Sequence, residues 1–353
     1  MQKNILEKFE LIADEPLTDY DSQGLFYRHK ATGCEVFHIK NNDRENLFSF
    51  IFMTPPKDDC GTAHIMEHSV LAGSESFPVK DPFLQLMKGS VNTFLNAMTY
   101  PDRTAFPASS TVEKDYFNLM KVYGDAVFFP LLREETFWQE GIRWEDGWQG
   151  IVYNEMQGAY SEQAAVLEEY SRRTLFPDVA YKYDSGGVPD AIPDLTYKKF
   201  KAFHRKYYTP SNCRIFLYGN IDTAKQLEFI EKEFLSRFDK NTGASPCVKL
   251  QKKYAKPIRY RAVCPAAEGE NGGSASINWL CGSAVDIDYT TRMRVLSDIL
   301  LSTPSSLLYR RIIESDIAED VASVTGFSGG LRQCTCSVGV RGIEKKKISE
   351  FKR

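Results

Sequence analysis

The 353 residues contain only five histidines, at positions 29, 38, 64, 68 and 204. Two of them stand in the run His64-Ile65-Met66-Glu67-His68. On a helix, residues four apart differ by roughly 40° of rotation, so both imidazoles leave one face and can grip one metal ion. Glu67 falls on the same side, within reach of a water held by that metal. Zinc lowers the pKa of such a water, and a carboxylate beside it can take the proton and pass it to a leaving amine. The plain alternative is a pair of helix-surface histidines next to an ordinary acid.

A tetrahedral catalytic zinc needs a third protein ligand, with the fourth position open for water. His29 and His38 fall in a predicted hairpin. His204 lies in FHRKYY, a helix end where a satisfied, partly buried ring is expected. A carboxylate is therefore required, and acids are so common between 113 and 169 that spacing alone does not choose one. Glu155, in GIVYNEMQGAY, borders the apolar stripe Val152–Met156–Ala159. A carboxylate drawn towards a core edge needs a cation to pair with, but a solvated helix glutamate is an equal reading of the same residues.

Several elements must hold these groups. Residues 24–40 alternate around a Thr-Gly turn and predict a β-hairpin, and the apolar run 47–54 predicts a central strand stopped by Pro55 and Pro56. The motif then predicts a short helix with Thr62 as N-cap and Gly73 as the glycine after its end. Further expectations are a strand over 91–100, helices over 112–129, 131–145, 150–172, 196–207 and 222–238, and a strand over 213–219. The polar stretch 239–246, DKNTGASP, reads as a domain boundary. Beyond it, strands are expected at 257–264, 274–281, 321–327 and 332–340, a helix at 290–314, and the opening of another helix in EKKKISEFKR. The predicted class is α+β: a first domain over 1–240, a linker over 241–256 and a second domain over 257–353 that looks incomplete at its C-terminal end.

Composition narrows the function classes. Lys+Arg 44 against Asp+Glu 47 gives a net charge of −3, which rules out a broad basic surface for nucleic acid. The longest uncharged run, Asn271 to Val285, is too short and too polar for a membrane span. The first residues mix acids and bases without an apolar stretch, unlike a secretory signal or a transit peptide. Eight scattered cysteines without a CxxC pair predict reduced thiols and a cytoplasmic protein. Cys334 and Cys336 are expected on one strand face as core thiols rather than as a metal pair. No GxxxxGK[ST], GxGxxG after a strand, or GxSxG occurs, and the glycines of DSGGVPD read as turn glycines.

The order HxxEH inverts HExxH and is the inverzincin signature. HIMEH followed by VYNEMQG resembles the insulinase/pitrilysin family of zinc peptidases, and within it the presequence-protease branch. NTFLNAMTYPDRTAFP, YDSGGVPDAIPDLTYKKFKAFHRKYYTPSN, IFLYGNI and VLSDILLSTPSSLLYRRIIES resemble it as well, so the likeness spans nearly the whole chain. It implies one zinc on His64, His68 and Glu155, Glu67 as general base, and two successive domains of like α+β fold. It also implies that an unfolded peptide substrate adds as a strand to the sheet edge at Asn96, Ala97 and Met98, which explains broad sequence tolerance because main-chain pairing does not read side chains. Members of this branch carry a second half that closes over the first and contributes an Arg and a Tyr. The expectation is a zinc metallo-endopeptidase or its metal-bearing N-terminal half, with a C-terminal half or self-association supplying the rest. The alternative is a zinc-binding subunit inactive alone.

Overall fold

The computed structural model describes residues 5–80, 82–239, 246–264, 266 and 272–351. Two compact units emerge, Met1–Tyr153 with Ser185–Cys247, and Asn154–Asp184 with Val248–Arg353. The chain thus passes into the second unit twice, and Asn154–Asp184 is grouped differently from the expected 1–240 domain. Of the expected linker, residues 241–245 lie outside the described residues, as does most of the stretch 239–246.

The first unit is built on an eight-stranded mixed sheet in the order Phe9–Leu17, Ser22–His29, Glu35–Lys40, Cys213–Gly219, Asn46–Met53, Arg103–Ser110 and Phe94–Leu95, with Met98–Thr99 also on Arg103–Ser110. The hairpin and the central strand stand where the alternation predicts them. Cys213–Gly219 inserts between Glu35–Lys40 and Asn46–Met53, parallel to the first and antiparallel to the second. The sheet centre therefore closes only when a strand from more than 150 residues downstream arrives.

Alternation along Asn46–Met53 puts Phe48, Phe50 and Phe52 on one face, all fully buried. Helix Glu113–Phe128 lays Tyr116, Tyr123 and Phe128 over them, edge-on at 5.5, 5.7 and 5.6 Å between ring centroids. Such T-shaped pairs are favoured by the ring quadrupoles. Phe234 completes the cluster by lying over Gly124, where an added Cβ would sit 2.2 Å from its ring. This wall supports the strand that leads, through Pro55 and Pro56, into helix Thr62–Val70.

The expected strand 91–100 is two short pieces, Phe94–Leu95 and Met98–Thr99, in one register on Arg103–Ser110. The cause is Pro107, opposite Asn96, whose ring nitrogen has no hydrogen to donate to the ladder. The expected helix 131–145 ends early, as Glu134–Glu140, followed by a hairpin of Arg143–Trp144 and Trp148–Gln149. The expected helix 150–172 is likewise two, Ile151–Ala159 and Gln163–Leu175.

In the second unit, Gly273–Ser283 and Asp320–Val321 flank Gln333–Ile343 in an antiparallel sheet that also takes Gly326–Ser328. Leu175, Phe176, Tyr181 and Val248 form a buried cluster there. The expected helix 290–314 is Ile287–Leu301 and Leu307–Glu314, separated by a turn around Pro304. Residues 257–264 are described but form no strand, a correction to the sequence expectation: Pro257 and Pro265 bracket a stretch without a ladder partner. No described helix is long and apolar enough to cross a membrane. The α+β class is thus observed, with a mixed sheet in one unit and an antiparallel one in the other.

Candidate metal centre

Helix Thr62–Val70 starts at its expected cap, so the cap itself falls one residue earlier. Gly61 is the N-cap, at φ +65°, and Thr62 is the first helical residue. A glycine is needed here twice over, because a Cβ would lie 2.6 Å from the carbonyl oxygen of Gly186. Gly187, at φ +101°, meets Gly61 from the other side, where its own Cβ would lie 2.8 Å from the Gly61 Cα. The DSGGVPD glycines are therefore more than turn glycines: they let a loop lie backbone-on-backbone against the start of the motif helix. Ile65, Met66 and Val70 are fully buried and anchor the helix.

His64 and His68 leave this helix with ring centroids 5.0 Å apart and planes at 74°. His64 is 9% exposed, and its Nδ1 lies 3.3 Å from the Gly186 carbonyl oxygen that the glycine contact delivers. A carbonyl only accepts, so Nδ1 donates the hydrogen and the lone pair resides on Nε2. His68 Nδ1 lies 3.3 Å from Glu140 Oε2, with the same consequence. Glu67 stands between the two histidines and is 8% exposed.

Glu155 is the fifth residue of helix Ile151–Ala159. The division between units falls within that unbroken helix, after Tyr153. Val152 is fully buried, while Met156 and Ala159 are half-buried and Glu155 itself is exposed. The expected pull of this carboxylate to a core edge is thus not what places it; the helix carries it instead. One nitrogen from each of His64 and His68 and one carboxylate oxygen of Glu155 lie within 4.8 Å of one another. Two neutral imidazoles and a carboxylate are a nitrogen–nitrogen–oxygen donor set that fits a divalent transition metal with a position left over.

The remaining histidines are structural. His38 sets Nδ1 2.9 Å from Thr223 Oγ1 and Nε2 3.3 Å from the Gly219 carbonyl. His204 Nε2 donates to the Val127 carbonyl at 2.8 Å, and the ring stacks on Tyr208 at 4.8 Å. Burial pushes both down to about 4. His29 reaches Thr32 Oγ1 at 2.8 Å and Glu231 Oε2 at 3.0 Å. All eight cysteines are free thiols, and among the described residues no group of three metal-ligating side chains includes Cys334 or Cys336.

At the sheet edge, Asn96 N donates to the Pro107 carbonyl at 3.2 Å, and the Asn96 carbonyl accepts from Tyr123 Oη at 3.1 Å. Tyr100 N donates to the Arg103 carbonyl at 2.8 Å, in the same register. Main-chain groups alternate sides along a strand. Asn96, Met98 and Tyr100 therefore turn theirs inward, and Ala97 turns its own towards the open edge, where Asn96 Oδ1 accepts from Ala97 N at 2.9 Å. Two groups around the centre carry no sequence signal of their own. Glu140 is one acid among many, and Gly186 acts through a carbonyl that every residue possesses.

Comparisons with known proteins bear on the fold and the family. Residues 194–341 match the family model described as the Peptidase M16 inactive domain. The chain is 42% identical over 349 residues to an uncharacterized protein of Borreliella burgdorferi, covering 98% of this chain and 36% of that one. It is 39% identical over 358 residues to presequence protease 1, chloroplastic/mitochondrial, of Arabidopsis thaliana, covering 97% and 33%. Among solved structures, a protease from Helicobacter pylori superposes with a TM-score of 0.73 at 17% identity over 94% of this chain and 78% of that one. Pitrilysin gives 0.63 at 16% identity, over 97% and 36%. The fold is thus that of the pitrilysin-like peptidases. With relatives at this level of identity along its length, the chain belongs to the insulinase family, on its presequence-protease-like side. It spans about a third of the length of the curated relatives it matches.

Proposed function

We propose that this chain carries the metal centre of a zinc metallo-endopeptidase acting on unfolded peptides. The observation that carries the reading is the convergence of His64, His68 and Glu155 ligand atoms within 4.8 Å. His64 and His68 would hold one zinc through Nε2, and Glu155 through a carboxylate oxygen. When bound, zinc acidifies water and polarises a peptide carbonyl. Glu67 then serves as the base: its carboxylate accepts a proton from the attacking water and returns it to the leaving amine nitrogen. Its near-complete burial keeps bulk water from competing for that proton. The substrate backbone would pair along the edge strand 94–99, with Ala97 rather than Asn96 or Met98 offering the outward main-chain groups.

A second reading is favoured by the share of the relatives that the chain spans, about a third. In it, these residues bind zinc and turn over poorly until a C-terminal half, on the same or another chain, completes the site. Orientation supplies a large part of catalysis, and a chain lacking groups that position the peptide loses that part. Elemental analysis tests the centre: one zinc per chain is expected, and clearly less in Glu155→Gln. Undiminished zinc in that variant removes Glu155 from the ligand set. Cleavage of an unstructured fluorogenic peptide by the chain with and without a relative's C-terminal half separates the readings. Marked stimulation supports the second, and full activity from a demonstrated monomer supports the first.

A further inference from the structure

We propose that Glu140 is a positioning residue for the metal, acting through His68. This deepens the zinc reading and rests on it. Glu140 is the last residue of helix Glu134–Glu140, where the backbone carbonyls leave a partial negative charge. It is also 8% exposed. An acid at a helix C-terminus is disfavoured by the dipole, and a buried one is disfavoured again by lost hydration. Neither helix propensity nor core packing accounts for a carboxylate at this place.

Its contacts do account for it. Oε2 lies 3.3 Å from His68 Nδ1, and Oε1 accepts from Gln139 Nε2 at 3.0 Å. One oxygen is thereby steadied by its neighbour while the other holds the imidazole. The two motif histidines differ in how much help they need. His64 is nearly buried and takes its orientation from the Gly186 carbonyl. The His68 side chain keeps 25% of its surface exposed, so packing encloses it less and its Nδ1 contact counts for more. The carboxylate helps hold the ring, fixes the hydrogen on Nδ1 and, as an anion, enriches the electron density of Nε2. A carboxylate–histidine–metal relay of this kind typically strengthens metal binding by about 10- to 100-fold.

The bland account is that Glu140 and His68 merely neutralise each other in the fold. The two accounts separate by measuring zinc affinity in competition with a chromophoric chelator, the Co²⁺ ligand-field spectrum, and unfolding of the metal-free protein, on the full chain. Glu140→Gln keeps the shape and an acceptor oxygen but removes the charge. It should weaken zinc binding by about 10- to 100-fold and shift the Co²⁺ bands, while metal-free unfolding stays close to that of the unmodified chain. Glu140→Asp, which withdraws the carboxylate by one methylene, should weaken binding as well and serves if the Gln variant does not fold. Unchanged zinc affinity and an unchanged Co²⁺ spectrum in a folded variant would overturn the proposal and leave the zinc reading standing. If the unmodified chain binds no more zinc than His68→Ala, the zinc reading falls and the proposal with it.

Discussion

Two regions of the first unit hold histidine in opposite ways. On strand Glu35–Lys40 and helix Tyr197–Tyr207, His38 and His204 are locked by a hydroxyl and by main-chain carbonyls, and burial keeps them neutral with pKa values of about 4. On the motif helix, His64 and His68 each have Nδ1 held by an acceptor, a carbonyl in one case and a carboxylate in the other. One nitrogen of each of these rings and a carboxylate oxygen of Glu155 lie within 4.8 Å of one another. Burial alone therefore does not distinguish a ligand from a core residue. What sets the motif pair apart is that grouping with a third donor, which neither His38 nor His204 has among the described residues.

The largest effect that would test this contrast is on chemistry. Glu67→Gln should retain zinc and metal-free stability yet lower peptidase turnover by about 10²- to 10⁴-fold, in any assembly that shows activity. Loss of zinc in this variant would instead put Glu67 among the ligands and break the assignment of roles.

Acid unfolding probes the other region. His38 and His204 titrate at about 4 when folded against 6.5 as the ordinary value. Depressed values mean that the unfolded chain binds protons first, so the stabilisation is complete above pH 6.5 and is lost as pH falls towards 4. The loss is on the order of 3 kcal/mol for each group. Denaturant unfolding across that range should show the decline, and His204→Gln, which can still donate to the Val127 carbonyl, should make it shallower. A stability that stays flat from pH 6.5 to 4 would show that these rings are not the neutral, locked pair described.

The smallest effect concerns the loop that serves His64. Gly187→Ala forces a side chain into φ +101° and against the Gly61 Cα, at a cost of about 1–3 kcal/mol. Thermal unfolding should register the loss, and zinc affinity should fall with it as the Gly186 carbonyl shifts from His64. Unaltered stability would mean the backbone contact yields freely and does not hold that ring.

How much of this was legible in the sequence depends on the physics of each part. His64, Glu67 and His68 are legible because four-residue spacing on a helix is local geometry. Glu155 was only half legible: its neighbours offered a reason, the core edge, that the structure does not bear out, since the residue is exposed. Glu140 was not legible, as it meets His68 across 72 residues of chain and no local pattern marks it. The Gly186 carbonyl was hidden for a different reason, because only the glycine pairing of 61 with 187 brings it close. Among elements, the strands of the sheet centre were read well from their alternation. Two helices failed as long periodic stretches interrupted by turns near Ser161 and Pro304, where periodicity resumes after a break that it does not itself reveal, and the expected helix 131–145 gave way to a hairpin after Glu140.

Pro107 has a consequence for the protein's solubility. Open sheet edges invite other chains to zip on, and long, flat ones seed aggregates. Here the outermost strand is two fragments of two residues each, parted opposite a residue with no hydrogen to donate. An extended visitor would gain a few main-chain bonds along so short a strand and then find nothing further to follow. This edge is thus too short to template a second copy of itself.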